Sequence, residues 1–284
     1  MKYFDIFCMS ETKTKKGVPI TNYTCFDLDP VKKTDKHKLP KYPGIHGLTV
    51  YIKDYLAVNC QLVNNEELQC KSVIWIKISD NFILGAVYLP HERSDYHYND
   101  LFEDLTSDIE LIKDHNLPIL LMGDFNSRTG TLNDINILDD SDIFELYKFP
   151  NILNLLEESN IPFARKNLDK STNNNGNRLI NMCKFSEICI VNGRVGYDKL
   201  VGSFTLDNTS TIDYAICSPD LLSCITDFKV DIFDPLLSDK HNPICITINT
   251  VRDKKQPDKP SENIPESNSS FIKCKWDKDK KDDY

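Results

Sequence analysis

The run LPILLMGDFNSRTG, Leu117 to Gly130, constrains the fold more than any other stretch. Leu117 and Ile119 to Met122 are apolar, and Gly123, Asp124, Phe125 and Asn126 follow at once. A short apolar run bounded by turn formers reads as a strand inside a sheet. Its terminal carboxylate then lies at the rim of a core, where burial is costly unless something pairs with it. The fold must bring other groups to that rim.

Ten further strand candidates accompany it: Phe4 to Met9, Leu48 to Ile52, Ala57 to Leu62, Val73 to Ile78, Phe82 to Tyr88, Ile188 to Val191, Ser203 to Leu206, Ile212 to Cys217, Phe228 to Ile232 and Pro243 to Ile248. Val73 to Tyr88 reads as a hairpin turned at Ser79, Asp80 and Asn81. One amphipathic helix is predicted where Leu101, Leu105, Ile109 and Ile112 share a stripe, capped by Asn99 or Asp100. Shorter helices are predicted at Pro150 to Ser159 and Asn177 to Glu187. Many strands with few helices between them predict two packed mixed sheets flanked by helices. Two long loops, Thr12 to Gly47 and Ser127 to Ser141, complete a domain over residues 1–249. Residues 250–284 are polar and Pro-rich at first, which reads as a disordered linker with a short helix at its end.

Composition narrows the function. The net charge of −9 argues against broad, affinity-driven nucleic-acid binding and leaves room for an enzyme with a local site. The ten cysteines show no CxxC spacing, so no zinc site is expected, and they read as small buried hydrophobes in a reducing compartment. No signal peptide or membrane-length apolar run is present, so the expectation is an intracellular chain with no membrane partner.

Polar residues gather at strand ends. FCMSET ends a strand at Glu11, AVYLP carries Tyr88, LLMGDFN gives Asp124 and Asn126, STIDYAI carries Asp213, and LSDKHNPI places Asp239 and His241 before the last strand. These are hard oxygen donors with one imidazole and no thiolate, a set suited to Mg²⁺, with Mn²⁺ as the substitute. His91, His97 and His115 have no such context.

The order SET, VYLP, GDFN, IDY and SD followed by His resembles the exonuclease–endonuclease–phosphatase superfamily. NNNGNRLINMC, IVNGR and GSFT are similar to the wording of its LINE-type retrotransposon endonucleases. The resemblance covers residues 3–249 and implies a four-layer α/β sandwich. It implies hydrolysis of a DNA phosphodiester: Glu11 and Asp239 hold the metal, Asp124 takes a proton from water, and Asn126 orients that water or the phosphate. His241 contacts phosphate, Asp213 orients His241, and Tyr88 donates to a phosphate oxygen or the leaving group. It also implies a monomer, nuclear if it acts on chromosomal DNA, with a reverse-transcriptase segment in longer relatives.

Two departures stand out. Lys240 separates Asp239 from His241 where the family places them side by side, and one extra residue in an extended segment reverses a side chain's face unless a bulge absorbs it. The family's opening strand and its asparagine have no counterpart before Glu11, so an unpaired sheet edge and weakened activity are expected. A phosphatase for a small phosphate ester and an inactive fragment of a mobile element are the alternatives.

Overall fold

The computed structural model describes residues 4–12, 16–28, 47–94, 97–136, 150–235, 238 and 240–249. Its main sheet grows from the predicted hairpin. β-strands are numbered in chain order: β1 (Ile6–Met9), β2 (Tyr23–Asp27), β3 (Thr49–Lys53), β4 (Cys60–Leu62), β5 (Val73–Ile78), β6 (Phe82–Tyr88), β7 (Ile119–Asp124), β8 (Cys189–Ile190), β9 (Asp213–Cys217), β10 (Ile225–Val230) and β11 (Ile244–Ile248). Ser79 adopts φ +51° at the hairpin turn and lets β5 and β6 pair antiparallel. β6 then pairs parallel with β7, the connection running through α2 (Leu101–Lys113). The sheet order is β4-β5-β6-β7-β9-β8, with only β6 and β7 parallel, so the sheet is mixed as expected.

Strand composition explains the order. All seven residues of β6 are buried, as a central strand covered on both faces requires. One face carries Ile74, Leu84, Ala86, Leu120 and Ala215, which pack on Val50 and Ile52 of β3 and Phe228 of β10. The opposite face carries Trp75, Ile83, Leu121 and Ile216, which pack on α2 and α4 (Asn174–Phe185). The predicted stripe of Leu101, Leu105, Ile109 and Ile112 is the buried face of α2. The second layer comprises two antiparallel pieces, β1-β3-β2 and β10-β11.

Several expectations change. Ser203 to Leu206 is no strand. Leu206 makes isolated bridges to Ser210 and His241, and Thr205 turns its Oγ1 onto the N–H groups of Ile212 and Asp213. Ala57 closes a short helix, α1 (Asp54–Ala57), and the strand begins only at Cys60. The loop Thr12 to Gly47 contains β2, whose five residues pair with β3 in continuous register. β10 begins three residues before the predicted Phe228. α4 begins at Asn174 because Asn173 Oδ1 accepts the Gly176 N–H at 2.7 Å, a side-chain cap. α3 (Pro150–Glu158) matches its prediction, and α5 (Pro219–Leu222) was not foreseen. Residues 29–46, 137–149 and the expected linker and helix of 250–284 lie outside the described residues. No disulfide links the described cysteines.

Two buried carboxylates tie elements together. Asp134 meets the Arg194 guanidinium at 2.7 and 2.8 Å and accepts the Ile190 N–H. Asp108 of α2 accepts the N–H groups of Gln69 and Cys70 at 2.7 and 3.0 Å, fixing the segment before β5. Burial pushes the Asp108 carboxyl up to about 6, against the pull of the two donors. Asp108→Ala orphans both N–H groups and should cost about 2 kcal/mol in denaturant unfolding. The folded chain holds this proton to a higher pH than the unfolded one. Its contribution is therefore full below 3.8 and is lost as pH rises through about 6. That slope should be missing from the variant's stability profile.

Candidate active site

Strand register builds the site. Tyr88 of β6 lies opposite Asp124 of β7, and Asp124 lies opposite Asp213 of β9. Three neighbouring strands thus carry a phenol and two carboxylates in one row at the sheet rim. The apolar run ending on Asp124 has its answer here: the buried carboxylate has company.

Local backbone fixes this row. Gly123 adopts φ +147°, and a Cβ there would lie 2.0 Å from Val87 O, so β7 approaches β6 as only glycine permits. Asn126 takes a left-handed φ of +48°, which asparagine tolerates. Its N–H donates to Asp124 Oδ1 at 2.7 Å, and its Nδ2 donates to Asp124 Oδ2 at 3.1 Å and Leu89 O at 2.8 Å. Asn126 is therefore both turn former and clamp on the carboxylate. Glu11, following β1 with φ +53°, accepts the Tyr88 hydroxyl in a short hydrogen bond.

His241 completes the group. Its Nδ1 lies 2.9 Å from Asp213 Oδ2 and 3.1 Å from Oδ1. The extra Lys240 is absorbed in the turn before β11: Ser238 Oγ accepts the N–H groups of both Lys240 and His241, and His241 bridges to Leu206. Asp239, the expected metal ligand, lies outside the described residues.

Supporting residues escaped the sequence reading. Thr205 Oγ1 holds the β9 start, and Asn192 clasps β9 through Asp213 O and the Ala215 N–H. Asn173 Nδ2 donates to Asn126 O, and Arg128 pairs bidentately with Asp169. The signal available was a polar residue inside apolar wording, as in IVNGR and GSFT.

The electrostatics favour a cation. Burial pushes the Asp124 carboxyl well above the usual range, and repulsion from Asp213 adds to it. The sequence reading expects Asp124 ionised beside a metal, and without one its burial opposes that charge. The His241 imidazole is also pushed up, to about 9, chiefly through its hydrogen bond to Asp213, and here the rise favours the charged form. One imidazolium thus faces Asp213, Asp124 and Glu11. Asp124, Asp213 and His241 each offer a ligand atom within 4.8 Å of the others. Glu11, one of the two expected ligands, adjoins this cluster through Tyr88. The cluster's oxygen-rich donors and excess of carboxylates fit a hard divalent ion.

A six-strand mixed sheet packs on a second sheet, with acids and a histidine gathered at its rim. The chain belongs to the endonuclease/exonuclease/phosphatase family, whose model matches residues 1–227. The endonuclease domain of TRAS1, a telomere-specific non-LTR retrotransposon, has the same fold: TM-score 0.53, 15% identity, 87% of each chain covered. A 3′ phosphatase NExo variant from Neisseria, solved with a product DNA hairpin, gives TM-score 0.53 at 14% identity, covering 86% of this chain and 89% of that one. An AP endonuclease from Archaeoglobus fulgidus gives 0.52 at 15% identity, with coverages of 86% and 89%. No curated protein shows significant similarity to the chain. Among the described residues no helix is long and apolar enough to cross a membrane.

In the metal-free protein the His241 imidazole should titrate by NMR near about 9, and Asp213→Asn should bring it toward 6.5. The charged pair stabilises the fold fully below 6.5, and its contribution is lost as pH rises through about 9. Gly123→Ala should separate β7 from β6 and cost about 1–3 kcal/mol in thermal unfolding.

Proposed function

We propose that the chain is a divalent-metal-dependent endonuclease that nicks DNA, of the kind found in non-LTR retrotransposons. The observation that carries this reading is the meeting of Asp124, Asp213 and His241 within 4.8 Å at the rim that Tyr88 and Glu11 share. The fold likeness to nucleases supports the class, and the wording of GDFN, IVNGR and GSFT supports the retrotransposon type.

Mg²⁺, or Mn²⁺ in its place, would be held at this rim by Glu11 with Asp239, beside the Asp124 and Asp213 carboxylates. The bound ion supplies Lewis-acid stabilisation of charge on the phosphoryl oxygens. The chain's own residues divide the rest. Asp124, whose proton affinity burial raises, takes a proton from the attacking water. Asn126 fixes the Asp124 carboxylate and so aims that base. His241, held charged at neutral pH by Asp213, serves as a cation against the phosphate rather than as a base. Tyr88, whose hydroxyl burial and Glu11 keep protonated, donates toward a phosphate oxygen or the leaving group.

The enzyme cuts as a monomer, and action on chromosomal DNA places it in the nucleus. The acidic net charge favours one second reading, hydrolysis of a smaller phosphate ester. A plasmid-nicking assay beside phosphate release from an inositol phosphate separates the two. The proposal expects nicking with Mg²⁺, none after EDTA, and a loss of at least about 10²-fold in Asp124→Asn, the size of a general-base contribution. Phosphate release without nicking transfers the site to the second reading, and unchanged nicking by Asp124→Asn removes that residue from the chemistry.

A further inference from the structure

The start of α4 stands one residue away from the candidate site. Asn173 caps the helix through Oδ1 and reaches Asn126 O through Nδ2, so the helix end and the Asp124 clamp share one hydrogen-bonded frame. The first turn of this twelve-residue helix contains no acid of its own. Instead Glu92, an exposed side chain just past β6, extends its carboxylate to the Asn175 N–H at 2.7 Å. Asn175 itself is fully buried. Its Oδ1 lies 3.3 Å from His97 Nε2, and its Nδ2 has no hydrogen-bond partner among the described residues.

An unpaired buried amide costs about 1–3 kcal/mol, so a donor in this state points to an acceptor. A helix N-terminus favours an anion there, through its free N–H groups and its dipole. Glu92 already supplies a carboxylate to the backbone donor and leaves the side-chain donor of the same residue unanswered. A tetrahedral phosphate offers more oxygens than a carboxylate and serves both donors. Phosphates follow one another every ~3.4 Å of helix axis along a strand. Asn173 and Asn126 tie the α4 end to the Asp124 carboxylate, so a phosphate next to the scissile one is the DNA group nearest to that end.

We propose that the N-terminus of α4, with Asn175, is a subsite for a DNA backbone phosphate beside the scissile one, and that the Glu92 carboxylate occupies it in the free protein. The proposal rests on the DNA-nicking reading. Binding exchanges one anion for another: the strand phosphate enters and the Glu92 side chain swings out into solvent. Glu92 thereby weakens capture of DNA and keeps the helix end satisfied between encounters.

The test uses the full chain with EDTA and a fluorescent DNA duplex, with affinity read by anisotropy. Glu92→Gln retains an oxygen to accept the Asn175 N–H and so preserves the fold. Glu158→Gln, on the exposed side of α3, controls for the loss of one negative charge. Glu92→Gln should tighten binding about two- to fivefold, the worth of one anion at a helix end. Glu158→Gln should leave it unchanged, and a neutral methylphosphonate at one linkage beside the cut should erase the gain. A Glu92→Gln affinity equal to that of the wild type, or a gain that survives neutralisation of every linkage, overturns the subsite. Mg²⁺-dependent nicking by the wild type leaves the DNA reading standing in that case. Absence of binding and nicking in every variant removes the DNA reading and the DNA phosphate with it. Inorganic phosphate then tests the anion site alone. The Asn175 amide resonance should move on titration, further in Glu92→Gln, and a resonance that stays still rejects the site.

Discussion

The pairing register of β6, β7 and β9 is the constraint on which the candidate site depends. Because β6 and β7 run parallel and β9 returns antiparallel, one row of the sheet holds Tyr88, Asp124 and Asp213. A slip of one residue would turn each side chain to the other face. The register is held by apolar residues that cannot slip: Leu84, Ala86, Leu120 and Ala215 fill one core, and Ile83, Leu121 and Ile216 the other. Core packing therefore pins the chemistry, although none of these residues takes part in it.

Placing two carboxylates side by side at a core rim is unfavourable without compensation. Asp124 spreads its charge onto the Asn126 N–H and Nδ2, and Asp213 shares its charge with His241. A remainder is left, visible in the upward push on the Asp124 carboxyl. A hard cation held there, as proposed, would relieve that remainder and give the rim positive character in a chain that is acidic overall. Net charge describes solubility and long-range steering, whereas the local arrangement decides which ligand is held.

How much of this was legible follows from the kind of signal each residue leaves. Apolar strands ending abruptly on Glu11, Tyr88 and Asp124 were readable because a charge at a strand tip contrasts with its neighbours. His241 was readable because HNPI leads into β11. The absorption of Lys240 was not, since it depends on Ser238 accepting two backbone N–H groups, a tertiary detail of one turn. β2 was hidden within a long polar segment and forms because β3 offers it an edge. Ser203 to Leu206 looked like a strand by composition, yet Thr205 spends its hydroxyl on β9. The convergence of Asp124, Asp213 and His241 depends on the register of β7 and β9 and on the turn before β11, which no single motif states.

One divalent ion, on the proposed function, sits where three strand ends converge. Substoichiometric Mn²⁺ added to isotope-labelled protein tests it most directly, through paramagnetic broadening of backbone resonances. The Asn126, Asp213 and His241 signals should be lost together and selectively, and excess Mg²⁺ should restore them. Broadening confined to other parts of the chain, or none at all, would contradict it.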